Sequence, residues 1–152
     1  MIIIDSNSLI VLLLGSIDEN LIASHKTTSI YTKQDYHNLV IIIKDLKNLL
    51  VLPNIWTEVD NLLNRFAGHY RWTYLTQIRE IMSKTTEKYL QSTTGSKSPY
   101  FDYVGLTDSL ILEIAKDCEL LITSDSMLSD YAIANNIVVY DMVKERNKEF
   151  IL

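Results

Sequence analysis

Four short apolar runs recur along the chain: IIID, LLVLP, ELLITSD and NIVVYD. Each is partly β-branched and is closed by a turn or polar residue. They read as buried strands near residues 2–4, 49–52, 119–123 and 137–140. Helical patterns fill the intervals. SNSLIVLLLG has a polar start and reaches Gly15, which reads as a helix stop. TKQDYHNLVIIIKDLKN carries apolar residues at helical spacing, and NIWTEVDNLLNRF follows Pro53 with Asn54 placed as its cap. WTYLTQIREIMSKTTEKYL, TDSLILEIAKDC, SMLSDYAIANN and a last segment near MVKERNKEF complete the helices, and TGSKSPY reads as a loop. Strands that alternate with helices predict an α/β fold: a parallel sheet covered on both faces.

With 152 residues, no internal repeat and no low-complexity tract, a single domain over residues 1–152 is expected. The one cysteine, Cys118, permits no internal disulfide and suits a reducing compartment. The start lacks a basic region, and Asp5 ends the first apolar run before it could span a bilayer. A cytoplasmic protein without a membrane partner is therefore expected. The net charge of −5 argues against a surface that grips phosphates mainly through Lys and Arg. An acidic enzyme can still handle phosphates if a metal ion supplies the positive charge.

Parallel strands share one rim at their carboxyl ends, and ligands bind there. Asp5 lies where the first strand ends, and Asp125 lies just past LLIT. Glu58 falls near the start of the helix after LLVLP, and Asp108 starts DSLILEIA. Four carboxylates on one rim would repel one another unless a cation neutralised them. Hard oxygen donors in that number suit Mg²⁺ or Mn²⁺. Each acid alone also has a plainer role. Asp5, Asp108 and Asp125 fit as helix N-caps, and Glu58 fits as an acid favoured by the helix dipole.

Four segments in order carry a resemblance to the PIN-domain ribonucleases, the family that includes VapC-type toxins: IIIDSNSLI, LPNIWTEVDNLL, LTDSLILEIA and LLITSDSML. The resemblance implies a three-layer α/β/α sandwich with strand order 2-1-3-4 for the four strands above. It also implies endoribonuclease activity, with Asp5, Glu58, Asp108 and Asp125 holding Mg²⁺ or Mn²⁺, and Asn7 and Thr123 as supporting polar residues. A metal-bound water would attack the phosphate in line and leave a 5′-phosphate and a 3′-hydroxyl. Several proteins of this kind pair with a small antitoxin that enters the acidic groove. Residues 16–48 are read as helices that cap that groove or form a homodimer contact. Asp60 is the fallback for Glu58, since residues two apart on a helix face different directions. Asp102 and Asp130 are read as solvated surface charges. Two other readings compete: a PIN-like RNA-binding or scaffold protein without catalysis, and a receiver-type signalling domain. The latter would need adjacent acids near the first strand and a Lys after a later one, and IIIDSN offers one acid.

Charge is uneven along the chain. Residues 65–97 carry a net +4, leaving −9 for the remainder. Arg65, Arg71 and Arg79 are the candidates for RNA backbone contacts, interleaved with Tyr70, Trp72, Tyr74 and Tyr89. Trp72, Leu75, Ile78 and Met82 have helical spacing and read as core rather than as a base platform. His69 reads as structural, and His25 and His37 give no metal-binding spacing with it.

Overall fold

The computed structural model describes residues 1–64 and 69–149. Five strands in the described residues form one parallel sheet: β1 (Ile2–Ile4), β2 (Leu49–Val51), β3 (Thr86–Glu87), β4 (Leu120–Ile122) and β5 (Val139–Tyr140), in the order β3-β2-β1-β4-β5. The four strands legible in the sequence thus stand in the expected order, and β3 is added at the edge beyond β2. Register is simple at the centre, where Ile3 pairs with Leu50 on one side and Leu121 on the other. All three residues of β1 are buried, as continuous apolar runs in a parallel sheet should be.

The helices are α1 (Ser6–Ile17), α2 (Asn20–Ser24), α3 (Lys33–Ile43), α4 (Pro53–Leu63), α5 (Tyr70–Lys84), α6 (Ser92–Ser96), α7 (Phe101–Ala115), α8 (Ser126–Ala134) and α9 (Met142–Glu149). α1 packs with α3, α4 and α5, while α7 packs with α6 and α8. Right-handed crossovers place these two groups on opposite faces, which makes the three-layer α/β/α sandwich. No described helix is long and apolar enough to cross a membrane.

Several local expectations change. α4 begins at Pro53, whose missing N–H costs nothing in a first turn, so Leu52 and not Asn54 occupies the cap position. The loop read at TGSKSPY begins inside the short helix α6, which runs to Ser96. The long pattern after Trp72 ends at Lys84, and Thr86–Glu87 pair with Leu50 and Val51 instead. On α5 the buried stripe is Tyr74, Ile78 and Ile81. Trp72 is 75 % exposed and Met82 also faces solvent, so neither is core.

Gly15 does not stop α1, which runs on to Ile17. A Cβ at position 15 would meet the Tyr36 ring at 2.2 Å, so the missing side chain is what lets α3 approach α1. Gly15→Ala is therefore expected to destabilise the fold by ~1–2 kcal/mol in urea denaturation. A Cβ 2.2 Å from the ring puts overpacking in the upper part of its range, about 2–3 kcal/mol, and the better helix propensity of Ala returns about 1. Adding Tyr36→Leu should recover part of the loss; a neutral Gly15→Ala would refute this role.

Candidate active site

The sheet reverses its direction of winding at β1, with β2 on one side and β4 on the other, and ligands bind at such switch points. Asp5 follows β1 there. It caps α1, its Oδ1 accepting from the Ser8 N–H at 2.8 Å. Its Oδ2 accepts from the hydroxyl of Thr123, which is fully buried at the end of β4. The same Thr123 hydroxyl oxygen accepts from the Asp125 N–H at 3.1 Å. Asp125 caps α8 in turn, accepting from the Leu128 N–H at 2.8 Å. One hydroxyl thus ties the Asp5 carboxylate to the Asp125 backbone across neighbouring strand ends. Capping and site-building coexist here, because each cap engages only Oδ1.

Glu58 reaches the same place from the second turn of α4, where it accepts a hydrogen bond from the Ser6 hydroxyl. Its place beyond the first turn weakens the dipole reading. Asp108 is not a cap either. α7 starts at Phe101 and breaks at Gly105, whose φ of 80° suits glycine, and Asp108 lies in the first turn after that break. Asp5, Glu58, Asp108 and Asp125 all line one cleft of about 380 Å³, with Ser6, Asn7, Asn61 and Leu62 between them. The structure therefore brings together the four predicted acids, places exposed Asn7 at their side, and puts Thr123 beneath them.

The missed members are Ser6, Asn61 and Leu62. Positions 58, 61 and 62 fall on one helical face, a spacing that could have revealed the last two. Asp60 points elsewhere, accepting from the Tyr74 hydroxyl at 2.8 Å. Asp102 and Asp130 are exposed and do not line the cleft. Residues 16–48 do supply α2 and α3, but none of them lines the cleft; α3 packs on α1 and α9. Arg65 lies outside the described residues. Arg71 donates to the Asn64 carbonyl at 3.4 Å, and Arg79 lies in a separate depression. His37 contacts Glu19 at 2.7 Å, and His25 accepts from the Thr27 N–H at 3.2 Å.

No family model, no curated protein and no solved structure matches this chain.

The electrostatics of the cleft are one-sided. Burial pushes the Asp5 carboxyl above its ordinary range; hydrogen bonds from Thr123 and Ser8 oppose this, and the Asp125 charge adds to it. Burial, then Asp5, Asp125 and Glu58, raise Asp108 to about 7. Among the described residues no Lys or Arg lines the cleft to offset these charges. Among the described residues no three His, Cys, Asp or Glu side chains are arranged to hold one ion directly. Mg²⁺-type ions ordinarily use one or two carboxylates and keep several waters. The all-oxygen donor set and its uncompensated repulsion fit such an ion, held partly through water.

The raised Asp108 value gives a pH dependence. The folded protein binds this proton up to about pH 7, whereas the unfolded chain releases it near 3.8, the ordinary value of an Asp carboxyl. The group's contribution is thus greatest in acid and is lost as pH rises through that window. In EDTA, Asp108→Asn should melt close to wild type at pH 4.5 and roughly 3–6 °C above it at pH 8. Parallel Tm curves for the two proteins would contradict the assignment.

Proposed function

We propose that the chain is a divalent-metal-dependent endoribonuclease of the PIN-domain type. The observation that carries the reading is the convergence of Asp5, Glu58, Asp108 and Asp125, from four separate segments, on one cleft at the carboxyl rim. The ordered resemblance of those four segments to PIN-domain motifs supports it. Mg²⁺ or Mn²⁺, when bound, would neutralise phosphate charge and make water a better nucleophile.

The chain's own residues do the holding. Asp5, Glu58, Asp108 and Asp125 supply the oxygen donors. Thr123 fixes Asp5 and the Asp125 backbone against each other, so their separation does not depend on free rotation. Ser6 donates to Glu58 and limits the rotamers of that longer side chain. Asn7 offers an uncharged amide at the cleft, able to donate to a phosphate oxygen without adding repulsion. Burial and the neighbouring carboxylates raise Asp108 to about 7, and a cation held among them would lower it and favour the ionised donor.

The test is cleavage of a labelled single-stranded transcript by purified protein. Cleavage in Mg²⁺ or Mn²⁺, abolished by EDTA and restored by excess metal, is the expected result. A folded protein that binds RNA and never cuts it under either metal would favour the non-catalytic RNA-binding reading.

A further inference from the structure

The acidic cleft does not end at Glu58. A second depression of about 370 Å³ shares Glu58 with it and is walled by Pro53 and Thr57 of α4, by Tyr89 and Leu90 after β3, and by Thr107. A third shares Pro53 and Thr57 with the second and reaches Arg79 and Met82 of α5. The residues that follow each strand mark the route: Asp125 after β4, Asp5 after β1, Pro53 after β2 and Tyr89 after β3. Three adjoining depressions therefore follow the carboxyl rim in the order of the strands.

Its chemistry changes along the way. Among the described residues the cleft holds four carboxylates and no cation. Among the described residues the second depression adds no charged side chain beyond Glu58. The third holds Arg79, which forms no ion pair with a described residue, against one acid, Glu87. A polyanion leaving the cleft gains nothing from the carboxylates, so its grip must come from contacts further out. Tyr89 is 71 % exposed, while its neighbour Leu90 packs against the core and anchors the segment. An exposed ring on an anchored segment suits stacking with an unpaired base, and a base-paired duplex hides the face such stacking requires.

We propose that Tyr89 is the platform of a nucleobase subsite beside the acidic cleft, and that Arg79 beyond it holds a backbone phosphate of the same unpaired RNA strand. The orientation of that strand rests on the ribonuclease reading, but the subsite is a binding site and can be tested without cleavage.

The experiment is fluorescence anisotropy of the full chain with a labelled single-stranded oligoribonucleotide in EDTA, with an abasic oligomer of equal length and an RNA duplex as comparisons. Tyr89→Ala should weaken binding of the intact strand roughly 5- to 100-fold, the scale of one lost stacking contact. Tyr89→Phe should bind as wild type, and neither change should alter binding of the abasic strand or the duplex. Arg79→Gln should weaken the intact and abasic strands alike and reduce the salt slope by about 0.7. Binding by Tyr89→Ala within twofold of wild type, or an equal loss on the abasic strand, overturns the subsite. So does the absence of any wild-type binding. Cleavage of the same strand in Mg²⁺ separates the two claims. Cutting with Tyr89-independent binding sinks the subsite alone, and Tyr89-dependent binding without cutting sinks the ribonuclease reading alone.

Discussion

Asp5→Asn is expected to lower the rate of metal-dependent RNA cleavage by more than about 100-fold while leaving the melting temperature unchanged or higher. Loss of an outer partner of a metal ligand typically costs about 10- to 100-fold, and Asp5 is proposed as a ligand itself. Stability should not fall, because Asn and Asp are about equally good N-caps. An Asn at position 5 can still accept from the Ser8 N–H. The substitution also removes a buried carboxyl whose ionisation is opposed by burial and by Asp125. Thr123→Val belongs in the same assay. It removes the hydroxyl joining Asp5 to the Asp125 backbone, and about a 10- to 100-fold loss is expected. A capping role alone predicts the opposite pattern: full activity for Asp5→Asn. Unchanged cleavage by that folded variant would remove Asp5 from the site.

That contrast shows why the convergence of the acids was legible and parts of the fold were not. Asp5 and Asp125 follow apolar runs, so the direction of a parallel sheet delivers them to one rim before any coordinate is known. Glu58 rather than Asp60 followed from the order of motifs, and the Tyr74 hydroxyl on Asp60 gives the reason: that acid serves the α4–α5 contact. β3 was invisible because it is two exposed residues with no apolar run, held by pairing with Leu50 and Val51. Gly15 was misread because its cause is Tyr36, twenty-one residues away in sequence. On α5 the helical period was right and its phase was wrong. Tyr74, Ile78 and Ile81 face the core, leaving Trp72 outside. What sequence lacks in each case is a partner from another element.

The same dependence on distant partners sets the largest expected loss of stability, from Arg146→Ala. Arg146 of α9 forms an ion pair with Asp35 of α3, a carboxylate with no exposed surface. Asp35 also closes a capping box at the start of α3: its Oδ2 accepts from the Thr32 N–H at 2.9 Å, and its own N–H donates to the Thr32 hydroxyl at 3.3 Å. A second arm of the guanidinium reaches the Ile30 carbonyl at 3.3 Å. Burial raises the Asp35 carboxyl above its ordinary range even with Thr32 and Arg146 pulling it down. Without Arg146 the buried charge loses its counter-ion, and removing one partner of such a pair costs about 3–5 kcal/mol. Urea denaturation at pH 8 should read that loss. The deficit should shrink at pH 5, because the folded variant would hold Asp35 protonated through a wider pH range and the charge would no longer be stranded. Arg146→Met combined with Asp35→Asn should recover much of the stability, since the pair is replaced rather than broken. α9 contributes nothing to the cleft lining, so cleavage should persist wherever the variant stays folded. A loss below about 1 kcal/mol, the value typical of exposed pairs, would mean that α9 is not fastened to α3 through this contact.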